Sequence, residues 1–234
     1  MYNALAEYYD RLMDVDYDAW TDYFLSFIGD RDDGADIACG TGEITLRLIA
    51  RGKKAFGADI SDAMLSRACA KAAQKGVRAL FVKGDMNEFS APHPLGFVTC
   101  ACDGVNYVSN PYRVFTAVYA SLKKRGVFVF DVSSEYKLRN IIGNNTFCYE
   151  DDELFYVWRN SLGARHVDMS LTFFRRDGDR YVKSSEEQRQ YVHTETSLLA
   201  ALQRAGFLAE VYGFPTHSRP GKRAERTVFV AEKV

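Results

Sequence analysis

The run Asp36-Ile37-Ala38-Cys39-Gly40-Thr41-Gly42-Glu43 has the residue types and spacing to do binding chemistry. It reads as the end of a buried strand, a glycine turn and the start of a helix. Gly40 and Gly42 lack a Cβ, so the backbone is free in φ and ψ and a ligand can lie against bare peptide. A helix beginning at Glu43 aims its free N–H groups at that ligand. The next strand, Lys54-Ala55-Phe56-Gly57-Ala58-Asp59, ends in an acid. A carboxylate there can accept two hydrogen bonds from a ribose diol. A glycine turn followed by an acid-tipped second strand is a nucleoside-binding arrangement.

A dinucleotide fingerprint needs G-x-G-x-x-G, the third glycine easing helix–strand packing. Here Thr45 stands in that place. A pyrophosphate also favours a helix N-terminus free of negative charge, and Glu43 is the first helical residue. Both points weigh against NAD and make an NAD oxidoreductase the weakest reading. A turn used only for tight packing is the alternative that the motif alone leaves open.

The spacing Asp36-x-Ala38-x-Gly40-x-Gly42 resembles the first motif of class I S-adenosylmethionine (SAM) methyltransferases. In that family the acid before the turn helps hold the methionine part of the cofactor. Ala38 replaces the usual first glycine. Asp59-Ile60-Ser61-Asp62-Ala63-Met64-Leu65 resembles the second motif, which implies Asp59 on the ribose hydroxyls. Leu80-Phe81-Val82-Lys83-Gly84-Asp85-Met86 resembles the third, which implies Asp85 on the adenine amino group and the Met86 backbone N–H on the ring. Residues from Phe97 to Tyr107 resemble the fourth strand and its active-site loop. Those from Leu122 to Val132 resemble the turn into the fifth strand. The resemblance is strongest to small bacterial methyltransferases of uncharacterised substrate, which open with a helix like Ala6-Glu7-Tyr8-Tyr9-Asp10-Arg11-Leu12-Met13. They also carry Asp-x-x-Asn-Tyr after strand four, as in Asp103 to Tyr107, and Asp-Val-x-x-x-Tyr-Lys after strand five, as in Asp131 to Lys137. The implied cofactor contacts are Tyr9, Asp36, Ala38, Gly40, Gly42, Asp59, Ile60, Asp85, Met86 and Asp103.

The elements that must position these residues follow from periodicity. Residues 3–28 repeat apolar side chains at three- and four-residue steps and read as helical. After the polar break at 29–34, strands at 35–39, 54–59, 78–83, 96–102 and 127–132 alternate with helices at 43–51, 62–75 and 111–124. Ser61 is a good N-cap, and Asn110 with Pro111 gives a strong helix start. Such alternation implies a parallel sheet covered on both faces, with the ligand at the carboxyl ends of its strands. After residue 137 short strand patterns follow one another, with a hairpin signal at Arg176-Asp177-Gly178-Asp179. Thr194 then caps a helix ended by Gly206, and two strands near 208–212 and 226–230 close the sheet. The expected fold is α/β, a Rossmann-like, doubly wound, mostly parallel seven-stranded sheet with an inserted small antiparallel sheet. Residues 1–137 and 194–234 make the SAM-binding domain, with the helices of 3–28 as its lid. Residues 138–193 make a cover over the substrate.

The 234 residues are 47% apolar, enough for a full core, and carry a net charge of −1. A nucleic-acid binder working through charge needs a basic surface, which weighs against nucleic acid as a partner and leaves an RNA held by shape open. No apolar run is long enough for a membrane span, and the first residues lack a secretory pattern. The five cysteines follow no disulfide framework, which suggests reduced thiols and a cytoplasmic location. Cys100 and Cys102 are expected on one face of one strand. Ligand spacing for a metal is lacking.

Methyl transfer from a sulfonium is an in-line displacement that depends mainly on positioning. Tyr8, Asn106, Tyr107, Tyr136, Tyr191 and His193 are the candidates for the substrate pocket, and the residue types mark no catalytic base. The basic run Arg219, Lys222, Arg223 and Arg226 reads as a solvated face. The expected activity is SAM-dependent methylation of a small molecule. The alternatives are an RNA or protein methyltransferase and a non-catalytic SAM-binding module.

Overall fold

The computed structural model describes residues 5–13 and 15–234. Residues 3, 4 and 14 of the expected helical stretch lie outside them. Two helices follow where one continuous pattern is read: α1 (Leu5–Leu12) and α2 (Tyr17–Ile28). The second is started by Asp16, whose side chain accepts from the Ala19 N–H.

The main sheet contains β1 (Asp33–Ile37), β2 (Lys54–Asp59), β3 (Leu80–Lys83), β4 (Leu95–Cys100), β5 (Leu122–Ser133), β10 (Phe207–Gly213) and β11 (Arg226–Lys233). Its order is β3-β2-β1-β4-β5-β11-β10. The first five strands run parallel, and β11 pairs antiparallel with both β5 and β10. Strand order reverses between β1 and β4, which opens a crevice beyond their carboxyl ends.

The helices α3 (Glu43–Ala50), α4 (Asp62–Gln74), α5 (Pro111–Ser121) and α6 (Glu195–Ala205) complete the main domain. Alternation along β5 serves both faces. Phe128, Phe130 and Val132 join a core with Val114, Phe115 and Val118 of α5 and Leu198 and Leu202 of α6. Val127 and Val129 join Trp20, Phe24 and Ile28 of α2 and Ile44 and Leu48 of α3. Both faces of a parallel sheet are thus covered, as its buried strands require.

Helix α5 stops at Ser121, three residues short of the expected end, because Leu122 pairs with Leu95 in β4. Lys233 Nζ takes up two carbonyls there, Tyr119 O at 2.7 Å and Leu122 O at 2.8 Å. Cys100 and Cys102 also depart from expectation. β4 ends at Cys100 and Cys102 takes a left-handed φ of 56°, so the two thiols pack into cores on opposite sides.

The second sheet is a meander of β6 (Thr146–Glu150), β7 (Leu154–Leu162), β8 (His166–Asp177) and β9 (Arg180–Tyr191). A π-helical turn at Lys137–Ile142, unmarked in the sequence, leads into it from β5. Its inner face packs on that turn and on Tyr8, forming a separate core with Leu138, Ile142, Val167, Met169 and Phe173. Among the described residues, no helix is long and apolar enough to cross a membrane.

Candidate active site

Three left-handed residues make the turn after β1: Ala38 at φ 53°, Gly40 at 55° and Gly42 at 80°. At Ala38 this conformation is strained for a residue with a Cβ, which explains why glycine is usual there in the resembling family. A Cβ on Gly40 would meet nothing within 4 Å, so bare peptide faces open space. A Cβ on Gly42 would stand 2.8 Å from the Phe81 ring and 2.9 Å from Ala68, so that glycine serves helix packing. Gly104 has the same function across the crevice, where a Cβ would meet Cys100 Sγ at 2.6 Å and Ala38 Cβ at 3.0 Å.

Two acids hold this turn. Asp59 accepts from the Gly40 N–H at 2.8 Å and, through its other oxygen, from the Ser61 N–H at 2.8 Å. Burial raises its pKa, against the pull of those backbone donors. Asp36 is 1% exposed and accepts from Thr45 at 2.7 Å and Thr99 at 2.8 Å. Burial pushes its carboxyl up to about 6, only partly offset by the two hydroxyls.

Helix α1 is fastened to both neighbours of the crevice. Asp10 accepts from Thr41 Oγ1 at 2.6 Å and pairs with Lys71 at 2.6 Å. Arg11 reaches the small sheet at Asp151, 2.5 Å, and Glu153, 2.7 Å. Glu43 is paired with Lys71 and Arg47. Burial alone would raise its pKa, but these cations hold it below the ordinary range.

Opposite the turn lies a buried charge cluster. Arg226 of β11 pairs with Asp103 at 2.7 Å and with Asp131 at shorter range, and its guanidinium sits 4.8 Å from the Trp20 ring centre. Asp131 also accepts from the backbone N–H groups of Cys102 and Asp103 at 2.8 and 3.1 Å. Burial would raise the pKa of Asp103, but Arg226 outweighs it and holds the group low. Asp131 is pushed up by burial and by the neighbouring Asp103 charge. Burial, with Arg226 nearby, lowers the pKa of Lys137. Arg226 therefore departs from the solvated face expected of its basic run.

Asp36, Glu43, Asp59, Asp103, Lys137 and Arg226 among these groups line one cavity of about 700 Å³. Its floor includes Asp36, Ala38, Gly40, Asp59, Ile60, Asp85, Met86 and Asp103; its roof includes Phe147, Tyr156, Trp158, Met169, Leu171, Gln188 and Gln190 of the small sheet. Tyr9, Tyr17 and Trp20 close one side. Burial keeps the Tyr9 phenol protonated by raising its pKa. A second cleft of about 280 Å³ adjoins it, lined by Phe56, Val82, Asp85, Met86 and Phe89.

Of the candidates for the substrate pocket, Tyr107 lines the cavity and donates to Gln188 Oε1 at 3.1 Å. The other five lie off its wall. Tyr8 stacks on Phe173 with ring centres 5.8 Å apart. Asn106 is buried as a cross-link, donating to Tyr191 O at 3.0 Å and accepting from the Ser133 N–H at 2.9 Å. Tyr136 precedes the π-helical turn, and Tyr191 lies between the rings of His166 and His193. His193 is buried with Nε2 2.9 Å from Val108 O, and burial lowers its pKa. Residues that sequence reasoning missed are Trp20, Arg226, Gln188 and Gln190. For the last two the sequence offers no signal, since the run Glu186 to Gln190 is polar on both faces of β9.

A family model described as a methyltransferase domain matches residues 35–126. A protein named as a methyltransferase in Geobacillus sp. (strain WCH70) is 35% identical over 247 residues and covers 99% of each chain. The crystal structure of a SAM-dependent methyltransferase from Clostridium acetobutylicum ATCC 824 is 32% identical, with a TM-score of 0.90 over 99% of this chain and 98% of that one. A SAM-bound amino pentose methyltransferase from Micromonospora echinaspora shares the fold at 22% identity, with a TM-score of 0.76 over 100% of this chain and 98% of that one. With its glycine turn, acid-tipped second strand and roofed crevice, this chain belongs to the class I SAM-dependent methyltransferases.

Proposed function

We propose that the enzyme methylates a small molecule held between the glycine turn and the four-stranded sheet. The roofed cavity carries this reading: it is lined on one side by the turn and on the other by an apolar, aromatic sheet face, a shape suited to a compact acceptor. The amino pentose specificity of the Micromonospora enzyme points the same way. Residues 138–193 act as the substrate cover, and 1–137 with 194–234 as the SAM-binding domain. All five cysteines are free, in keeping with a reducing, cytoplasmic setting.

The residues present fit the cofactor. Gly40 offers bare peptide, Asp59 an acid at the β2 tip, and Ile60 an apolar surface 54% exposed beside it. Asp85 and Met86 border both the cavity and the adjoining cleft, where an adenine ring finds apolar walls. Asp36, Ala38, Gly42, Asp103 and Tyr9 complete the set, Gly42 and Asp103 by shaping the walls. Bound SAM supplies a sulfonium-activated methyl group. The chain's own residues orient the acceptor for in-line attack, worth roughly 7–11 kcal/mol in favourable cases, and exclude water beneath the roof.

Asp36 gives a pH signature. Pairing with the cofactor's ammonium group requires the carboxylate, so binding should release a proton where Asp36 is protonated. With the pKa raised to about 6, affinity should be level above that value and fall about tenfold at one unit below it. Calorimetric titration with S-adenosylhomocysteine at pH 5 and 7.5 measures this. A dissociation constant unchanged across that range would remove Asp36 from the contact.

Incubation with methyl-labelled SAM and, in parallel, a metabolite extract, total RNA and total protein tests the acceptor class. Label is expected in the metabolite fraction. Label confined to RNA or protein would overturn the proposal.

A further inference from the structure

Strand β9 departs from the pattern of the sheet it completes. On β8 the buried positions are Val167, Met169, Leu171 and Phe173, all apolar. On β9 they are Glu186, Gln188 and Gln190. Buried polar groups are costly unless hydrogen-bonded, so this stripe needs a physical reason. Internal bonds account for the first two residues. Gln188 Nε2 donates to Glu186 Oε1 at 2.7 Å, and Gln188 Oε1 accepts from Tyr107 at 3.1 Å.

Gln190 is different. Its Nε2 donates to Asp103 Oδ2 at 2.7 Å, while Asp103 Oδ1 is held by Arg226 at 2.7 Å. An ionised carboxylate only accepts hydrogen bonds. The Gln190 amide therefore cannot flip: its NH₂ must face Asp103, which leaves Oε1 as the unused group. That oxygen is buried without a hydrogen-bond partner, on a side chain 4% exposed that belongs to the cavity wall.

We propose that Gln190 Oε1 recognises the methyl acceptor by taking a hydrogen bond from an N–H or O–H group that the acceptor carries. The proposal deepens the small-molecule reading and rests on it. It assigns the acceptor to amines and alcohols, phenols included. A thioether or a tertiary amine without another donor cannot make that bond and forgoes its contribution to binding. Phe147, Tyr156 and Trp158 give apolar surface to the rest of the acceptor. Gln190 is thus a specificity-determining residue, with its orientation set by Arg226 through Asp103.

The chain's two tryptophans, Trp20 and Trp158, both line the cavity, so intrinsic fluorescence reports its occupancy. With S-adenosylhomocysteine present, the protein is titrated with benzyl alcohol and with benzyl methyl ether, a pair differing in the hydrogen-bond donor. The alcohol is expected to bind about tenfold or more tightly. In Gln190→Leu the two should bind alike. Equal affinities in the wild-type protein, or a preference that survives in a folded Gln190→Leu protein, would overturn the assignment and leave the acceptor cavity standing. Failure of both probes to change the fluorescence would overturn the cavity reading and the assignment with it. Equal wild-type affinities overturn the assignment even if the variant does not fold.

Discussion

Asp59→Ala is expected to weaken SAM binding by roughly 2–4 kcal/mol, taking about 1.5–3 for each hydrogen bond to a charged group and discounting for non-additivity. Each carboxylate oxygen of Asp59 accepts one backbone N–H, from Gly40 or from Ser61. An ionised carboxylate has about four acceptor sites, so capacity remains for the ribose hydroxyls. Alanine would remove those contacts and also release Gly40 from the position in which its bare peptide meets the ligand. The fold should survive, because Asp59 pairs with Lys83 through the backbone and its side chain lies at the strand tip. Asp59→Asn should lose less, since one amide oxygen still accepts. Calorimetry with S-adenosylhomocysteine on protein of unchanged circular dichroism is the measurement. A wild-type dissociation constant in the alanine variant would exclude Asp59 from the ribose.

The legible parts of the molecule were those fixed by local chemistry. The glycine turn was readable because left-handed backbone needs particular residue types, and the structure has Gly40 and Gly42 at positive φ. Strand β2 and the caps at Ser61 and Thr194 fall where spacing placed them. What sequence could not show depends on partners distant along the chain. Arg226 shares its local surroundings with Arg219, Lys222 and Arg223, and only its distance to Asp103 and Asp131 distinguishes it. Tyr8 and Tyr9 are adjacent on α1, but Tyr8 meets Phe173 and Tyr9 faces the cavity. On β9 both faces are polar, so period-two alternation had no apolar side to mark. The break between α1 and α2 was hidden because apolar spacing continues across it, although Asp16 supplies a cap.

Arg226→Met should be strongly destabilising. Breaking a buried ion pair by removing one partner typically costs about 3–5 kcal/mol, because the remaining charge is left uncompensated. Here one guanidinium serves two carboxylates, with side-chain exposures of 14% for Asp103 and 0% for Asp131. The contact with the Trp20 ring is lost as well. At about 2–4 °C per kcal/mol for a chain of this size, Tm should fall by roughly 6–20 °C. Arg226→Lys should lie between, since a single ammonium lacks the fork that spans both acids. The pH dependence separates this mechanism from a simple packing defect. In the wild type, the lowered pKa of Asp103 contributes stability above its unfolded value and loses it as pH falls through the folded one. In Arg226→Met both acids should have raised pKa values, so the folded variant takes up protons that the unfolded chain does not. Its stability should then rise as pH falls from 7.5 towards 5, and the gap in Tm to the wild type should narrow. Thermal melts of both proteins across that range measure the effect. A gap independent of pH would show that Arg226 acts by packing, and a negligible gap would show that the cluster does not depend on its charge.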